Sequence, residues 1–160
     1  MKRLGRMVAL AAVLAVGFPS LDLLAQATDP LIGTWELNLA KSKYNPGPPP
    51  KSQTRIYEVV GQGVKVTANS VSADGKPAVV QSTFSFDNKE YPLLGSTAVD
   101  TQAVKRIDSF TWENTLRKAG KVVQTVTGAI SRDGKIMTIT YKGTDAQGRT
   151  NSDVMVFDRR

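Results

Sequence analysis

The sequence predicts an all-β protein, and within that class an antiparallel up-and-down β-barrel of about eight to ten strands. Beyond residue 30, apolar residues alternate along the chain instead of recurring every three or four positions. In "FTWENTLRK", for example, Phe110, Trp112, Asn114 and Leu116 share one face, which is the period of a strand. Short turns that contain glycine separate these segments, and none of the segments carries a helical stripe.

The turns carry the residues that tight hairpins require. Asp-Gly occurs at 74–75 and 133–134, and Ala-Gly at 119–120, each time between two alternating segments. Asp-Gly favours such turns because both residues tolerate the positive φ angles of a primed turn. Consecutive strands are therefore expected to pair as hairpins.

Together these patterns predict nine strands, at residues 31–40, 53–60, 63–71, 78–86, 101–107, 110–118, 121–131, 135–142 and 149–158. Residues 86–92 are interpreted as a reversal that ends at Pro92, because proline cannot donate to a strand ladder. The best place for a helical turn is 93–100. The alternative fold is a β-sandwich, whose crossing connection could be supplied by residues 41–52 or 87–100. Closure into a barrel is favoured because most junctions are short and because it removes exposed sheet edges.

Residues 1–27 are predicted to be a secretory signal peptide. Three basic residues precede an apolar run at 7–18, and the small residues of Ala-Gln-Ala at 25–27 suit a signal peptidase. The run is too short to span a bilayer. We therefore expect one domain, residues 28–160, which is exported, periplasmic or secreted, and has no transmembrane segment after cleavage.

The composition excludes several kinds of chemistry. The chain has no cysteine and no histidine, so disulfides, thiolate nucleophiles and histidine-based triads or metal sites are excluded. No cofactor or metal is predicted. The chain's net charge is +7, and the predicted leader, with three bases and one acid, leaves +5 on the mature domain. Because the basic residues are scattered singly, we expect a solvated basic surface and no nucleic acid partner. The sequence does not indicate an oligomeric state.

The first strand contains "LIGTWELN", residues 31–38. Gly33 is expected to let the backbone bend closely into the barrel wall, and the indole of Trp35 to close one end of the barrel. Leu37 and Leu39 are expected to point inward with Trp35. This segment resembles the N-terminal G-x-W signature of the calycins, the lipocalins and fatty-acid-binding proteins. The chain also resembles small exported bacterial proteins of lipocalin-like type, and residues 120–143 are similar to the late hairpins of fatty-acid-binding proteins.

The resemblance implies further features and shows two departures. In lipocalins an arginine from the last strand lies against the signature tryptophan, and Arg159 is the nearest candidate here. Fatty-acid-binding proteins carry a helical lid after the first strand, but four prolines at 46 and 48–50 predict an extended connector instead. Their Arg-x-Tyr carboxylate-binding pair is absent from "DVMVFDRR" at the end of the chain.

A lipocalin-like barrel implies a cavity for one small hydrophobic or amphipathic ligand, bound without catalysis. Arg55 and Arg106 are candidate partners for an anionic group on that ligand. The predicted ligand-binding residues are Arg55, Tyr57, Phe84, Phe86, Arg106, Trp112, Leu116, Met137, Ile139 and Tyr141, and Gly33 and Trp35 form the structural signature.

Two other functions are compatible with the sequence. The same residues could fill a solid barrel that acts through its surface, as an interaction or inhibitor-like envelope protein. An enzyme is the third hypothesis, and it would need carboxylates, or a carboxylate and a lysine, to converge in the cavity. The acidic residues show no such grouping in the sequence, so we expect that the protein is not an enzyme.

Overall fold

The computed structural model describes residues 29–144 and 148–160; the predicted signal peptide, residues 1–27, lies outside them. The strands are β1 (Gly33–Leu37), β2 (Ser52–Val60), β3 (Gly63–Val71), β4 (Pro77–Phe84), β5 (Asp87–Pro92), β6 (Thr101–Asp108), β7 (Thr111–Lys118), β8 (Lys121–Ile130), β9 (Ile136–Thr144) and β10 (Thr150–Arg159), with a 3-10 helix at Leu39–Lys41. Within the described ranges, no helix has the length and apolar character needed to cross a membrane.

All ten strands belong to one antiparallel sheet in the order β4-β3-β2-β1-β10-β9-β8-β7-β6-β5. The first and last strands pair with each other, so that Trp35 lies opposite Arg159 and Leu37 opposite Phe157. The structure is a nearly closed up-and-down barrel. The predicted fold class is therefore confirmed, and the β-sandwich alternative does not apply because the strands form a single sheet.

The barrel closes at a seam between β4 and β5. Gln81 and Leu94 exchange two backbone hydrogen bonds there, of 3.0 and 2.8 Å. Gly95 follows with φ +82°, and a Cβ atom at this position would lie 2.0 Å from the carbonyl oxygen of Val79. Only glycine permits this approach, so the segment after β5 lies tightly against β4 and joins the two edges of the sheet.

Strand β5 was not predicted, and residues 86–92 are not a simple reversal. The strand pairs with β6, with Glu90 opposite Ala103 and Tyr91 opposite Gln102, after an irregularity in register that begins at Asp87. Most of its side chains are exposed, so it lacks the buried alternation that marks the other strands. Residues 93–100 form no helix.

The closed end of the barrel is filled by residues of β1, β10 and the segment before β1. Trp35, Leu31 and Phe157 are completely buried, and the indole Nε1 of Trp35 donates a 2.9 Å hydrogen bond to the carbonyl of Leu31. Leu37 also points inward, but Leu39 is 40% exposed. The prediction for Leu39 is wrong because the strand ends at Leu37 and the 3-10 helix breaks the alternation.

Arg159 occupies the position that the calycin resemblance implies. Its guanidinium lies over the ring of Trp35, 4.3 Å from the ring centre. Its nitrogens donate hydrogen bonds to three carbonyl groups: Nη1 to Ile32 at 2.8 Å, Nη2 to Pro30, and Nε to Gly134 at 2.6 Å. One side chain thus joins the segment before β1, the β8–β9 turn and the last strand.

The G-x-W spacing has a steric basis at this end. Gly33 has φ +137°, and a Cβ atom at this position would lie 2.6 Å from Nη1 of Arg159. The glycine is therefore needed both for its backbone conformation and for the space that the guanidinium occupies.

The connector between β1 and β2 is extended, as the prolines predicted. After the 3-10 helix it runs beside β10, where Lys43 forms a bridge with Val154. The backbone N–H of Asn45 then donates a 2.8 Å hydrogen bond to Oδ1 of Asp153. No lid helix occurs between Ser42 and Lys51, because the prolines prevent one.

Candidate functional site

Above the filled end, the barrel contains a partly open cavity of about 270 Å³. This is slightly below the range of about 300–1,000 Å³ that ligand pockets usually span. Strands β2, β3, β4, β6, β7, β8 and β9 contribute to its wall, together with the segment 93–99. Its lining residues are Gln53, Arg55, Tyr57, Val66, Ala68, Ser70, Val80, Gln81, Ser82, Phe84, Leu93, Ser96, Ala98, Val99, Gln102, Val104, Trp112, Asn114, Leu116, Gln124, Val126, Ile139 and Tyr141.

Twelve of the 23 lining residues are apolar, and two groups of polar side chains stand out among the others. Strand alternation explains this lining, since inward-facing positions on β7 place Trp112, Asn114 and Leu116 on the cavity side. Among these lining residues, Arg55 is the one with a positive charge, and none is a carboxylate or a lysine. The first polar centre surrounds Arg55, and the second is a pair of amide side chains on β6 and β7.

Arg55 is the charged residue of the cavity. Its Nη2 donates a 2.5 Å hydrogen bond to the hydroxyl of Tyr141, Nη1 a long 3.5 Å bond to the hydroxyl of Tyr57, and Nε a 3.3 Å bond to Oε1 of Gln53. The guanidinium also lies 5.4 Å from the ring centre of Phe157 below it. These bonds use three of the five N–H groups of a guanidinium.

The charge of Arg55 is not neutralised within the described part of the chain. No carboxylate of residues 29–144 or 148–160 lies within 4.0 Å of its guanidinium, although such ion pairs occur elsewhere on the barrel. Asp153 lies opposite Tyr141 in the pairing of β9 and β10, and its Oδ1 accepts from the backbone N–H of Asn45. A partly buried cation without a counter-ion is costly, and an anionic ligand would offset that cost.

The pKa values of Arg55 and Tyr57 describe the charge state of this centre. Burial is the largest influence on the Arg55 pKa and lowers it, but Tyr141 and Tyr57 together outweigh burial and raise the pKa above its ordinary value. The pKa of Tyr57 is also raised, chiefly because burial disfavours the phenolate. Arg55 is therefore charged and Tyr57 is neutral at physiological pH.

The two tyrosine hydroxyls add donors to this centre. Tyr57 and Tyr141 each accept a hydrogen bond from Arg55, so the proton of each hydroxyl is free to donate. Neither hydroxyl donates to a partner among the described residues. The centre can therefore offer two remaining guanidinium N–H groups and two O–H groups to one anionic group.

The second polar centre is formed by Gln102 on β6 and Asn114 on β7. Nδ2 of Asn114 donates a 2.7 Å hydrogen bond to Oε1 of Gln102. Gln102 is only 4% exposed. Its Nε2 and the Oδ1 of Asn114 are both buried and have no hydrogen-bond partner. Most buried polar atoms in proteins are paired, so this amide pair is an exception; because each of the two atoms has less than 1 Å² of accessible surface, neither opens into the cavity.

Seven of the ten predicted ligand-binding residues line the cavity: Arg55, Tyr57, Phe84, Trp112, Leu116, Ile139 and Tyr141. The other three do not. Met137 is completely buried in the filled end, and Phe86 packs with its ring edge against Phe84. Arg106 forms an ion pair with Asp29 and stacks on Phe86, 3.6 Å from its ring centre. Whether the seven bind a ligand stays a prediction.

The three residues lie elsewhere because alternation gives the inward direction of a side chain and not its depth in the barrel. Arg106 shares the inward face of β6 with Val104 and Gln102, but it lies nearer the filled end, where the segment before β1 supplies Asp29 as its partner. Its proposed role as a partner for a ligand anion is therefore replaced by a structural ion pair. Met137 likewise lies one inward position below Ile139 on β9.

Sequence reasoning missed the amide residues of the lining. The alternation puts Asn114 on one face with Trp112 and Leu116 but gives it no role, and it does not single out Gln102. A polar residue among apolar neighbours on an inward face, such as Asn114 between Trp112 and Leu116, was the pattern that could have identified them.

The described residues contain no group of three or more acidic side chains placed to hold a metal ion. No protein-family model matches the sequence, and no curated protein matches it. Among solved structures, the chain is similar to a de novo designed fluorescence-activating β-barrel. The identity is 12%, the alignment covers 84% of this chain and 97% of that chain, and the TM-score is 0.43.

Proposed function

We propose that this protein binds one small amphipathic molecule in the barrel cavity, without catalysis, and that Arg55 receives an anionic group of that molecule. The observation that carries the proposal is the guanidinium of Arg55, which lines a partly open cavity of mixed polar and apolar character and has no carboxylate within 4.0 Å in the described residues. Tyr57 and Tyr141 hold this guanidinium in place and can themselves donate to the same anion. A carboxylate suits the centre because its two oxygens accept several hydrogen bonds at once.

The cavity volume limits the size of the ligand. A water molecule occupies about 30 Å³ in the liquid, so 270 Å³ corresponds to about nine groups of that size. Octanoate is a suitable test molecule, because it has an acid group, an apolar chain and about this number of heavy atoms. Octanol and octylamine are matched neutral and cationic molecules.

Calorimetric titration of the purified protein tests the proposal. Octanoate is expected to bind more tightly than octanol, and octylamine more weakly than both. Replacing Arg55 by methionine removes the charge but retains an apolar side chain. Because a hydrogen bond to a charged group contributes about 1.5–3 kcal/mol, Arg55→Met is expected to weaken octanoate binding by about tenfold to a hundredfold and to leave octanol binding nearly unchanged.

The matched control is Arg132→Met, the same replacement at an exposed arginine that stacks on Phe110 at 4.8 Å, outside the cavity lining. It is expected to leave the affinity for octanoate unchanged. Absence of binding by all three molecules would contradict the proposal and favour a barrel that acts through its surface.

We also propose that the protein acts outside the cytoplasm, on the basis of the basic and apolar pattern of residues 1–27. Fractionation of cells that express the full chain, followed by N-terminal sequencing of the processed form, tests this. An N-terminus at Thr28 in the exported fraction is the expected result, and an unprocessed chain in the cytoplasm would contradict it.

A further inference from the structure

We infer that the apolar chain of the ligand lies against β3 and β4, and that Ala68 on β3 limits the length of that chain. The inference deepens the proposed function and rests on it. It makes Ala68 a specificity-determining residue and names the ligand class as acids with a chain of about eight carbons, the size that the cavity holds.

The first observation is the direction in which Arg55 extends. Ala68 is the direct cross-strand neighbour of Arg55 in the pairing of β2 and β3, and both residues line the cavity. The guanidinium of Arg55 donates to the hydroxyl of Tyr141 on β9 and lies over the ring of Phe157 on β10. In the strand order these two strands lie on the side of β2 away from β3. The side chain therefore leans away from β3, and the small methyl group of Ala68 leaves room beside it.

The second observation is the apolar character of the wall around Ala68. Val66 occupies the preceding inward position on β3, and Val80 lies opposite Ala68 on β4. Both valines are half-buried and line the cavity. Leu93 and Val99, from the segment that closes the seam beside β4, also line it. A hydrocarbon chain that lies over Ala68 thus contacts apolar side chains on both sides.

The polar side chains of this wall are already bound within the protein. Oγ of Ser82 donates a 2.7 Å hydrogen bond to the carbonyl of Pro92, and Nε2 of Gln81 donates a 3.3 Å bond to Oγ1 of Thr67. Oγ of Ser70 donates a long 3.5 Å bond to a carbonyl of β4. Because each of these side chains already donates to the chain, the wall suits a hydrocarbon and not a second polar group of the ligand.

The size of Ala68 can be converted into a chain length. Ala68→Leu adds three carbon atoms at an inward position. If each takes about the 30 Å³ that a water molecule takes in the liquid, together they fill about 90 Å³, which is a third of the cavity of about 270 Å³. A ligand that keeps its acid on Arg55 then has to lose about three methylene groups. The best-fitting simple acid is therefore expected to change from octanoate to pentanoate.

Calorimetric titration with straight-chain acids from butanoate to decanoate measures this change. In the wild-type protein octanoate is expected to bind about sixtyfold more tightly than pentanoate, because each buried methylene contributes about a factor of four. In Ala68→Leu this advantage is expected to disappear while the affinity for pentanoate is retained. Ala68→Val adds two carbons, so its best-fitting acid is expected to be hexanoate.

The matched control is Ala129→Leu, the same chemical change at an exposed alanine on the outer face of β8. It is expected to keep the wild-type preference for octanoate. NMR of the wild-type complex gives a second readout that needs no variant. Nuclear Overhauser effects are expected between the chain protons of octanoate and the methyl group of Ala68.

The outcomes separate the inference from the proposed function. If the Ala68 variants keep the wild-type preference for octanoate, or weaken every acid equally, the inference is overturned while the proposed function stands. Bound octanoate without Overhauser effects to Ala68 would also overturn it, and this result decides the matter even if the variants do not fold. If Arg55→Met reduces the affinity for no acid, or no acid binds at all, the proposed function fails and the inference fails with it.

Discussion

The contacts of Arg159 allow a quantitative prediction of how the barrel is held closed. Arg159→Met removes three hydrogen bonds to carbonyl groups of Pro30, Ile32 and Gly134, together with the stacking on Trp35 at 4.3 Å. A hydrogen bond from a charged group contributes about 1.5–3 kcal/mol, and a partly buried cation–π contact about 1–2 kcal/mol. These contributions are not additive, and methionine retains part of the packing. We expect the free energy of unfolding to fall by about 3–5 kcal/mol.

Equilibrium unfolding in urea, followed by circular dichroism, measures this change. The comparison variant is Arg132→Met, which loses a contact with Phe110 and an attraction to Asp108, both at the surface, and is expected to lose less than about 1 kcal/mol. A loss for Arg159→Met as small as that of the comparison variant would refute the reasoning that this guanidinium joins the segment before β1, the β8–β9 turn and the last strand.

A double-mutant cycle with Gly33 tests the same contact from the other side. Gly33→Ala places a Cβ atom 2.6 Å from Nη1 of Arg159 and also strains a backbone with φ +137°. In the wild-type background both effects are present, whereas in Arg159→Met only the backbone strain of about 1–3 kcal/mol remains. Equal penalties in the two backgrounds would show that the glycine is needed for its backbone conformation alone.

Three further outcomes are expected from the structure. Gly128→Ala would place a Cβ atom 2.0 Å from the indole of Trp112, so urea unfolding should show a loss of about 1–3 kcal/mol; an unchanged stability would contradict this close packing. The tryptophan fluorescence change on adding octanoate should persist in Trp35→Phe and disappear in Trp112→Phe, because Trp112 lines the cavity and Trp35 does not; the reverse pattern would place the ligand elsewhere. The pKa of Asp158 lies below its ordinary value of 3.8, chiefly because the Asn38 side chain donates a hydrogen bond to it and also because the Lys41 ammonium donates to it. The contribution of Asp158 to stability is therefore complete above pH 3.8 and is lost as the pH falls through the lower pKa of the folded state. Urea titrations across this acid range should therefore show a shallower pH dependence for Asp158→Asn than for the wild-type protein, and parallel curves would contradict the assignment.

Most of the fold could be predicted because its determinants are local. Alternation along β7 and the Asp-Gly turns give strands and hairpins directly from neighbouring residues. Strand β5 could not be predicted in this way, because it is exposed, irregular in register after Asp87 and ends at Pro92. It is a strand because β6 pairs with it, and that pairing is a tertiary interaction.

The sequence pattern predicts which side chains share a strand face, but it does not predict how deep in the barrel each of them lies. Alternation puts Arg55 on the strand face of Tyr57, Arg106 on that of Val104 and Met137 on that of Ile139, yet it does not show which of them reach the cavity. Arg106 is paired with Asp29, a residue 77 positions away in sequence. The contact between Arg55 and Tyr141 joins strands that are also distant in sequence, so the centre could be recognised only after the barrel had brought these strands together.

The most direct test of the central claim is the ionisation of a carboxyl group bound in the cavity. Octanoate labelled with carbon-13 at the carboxyl carbon can be titrated with acid while its bound resonance is followed by NMR. Because Arg55 is positively charged and without a carboxylate partner in the described residues, the bound carboxyl group is expected to have a pKa below that of free octanoate, and Arg55→Met is expected to remove the difference. A bound carboxyl group whose pKa equals or exceeds that of the free acid would contradict the account.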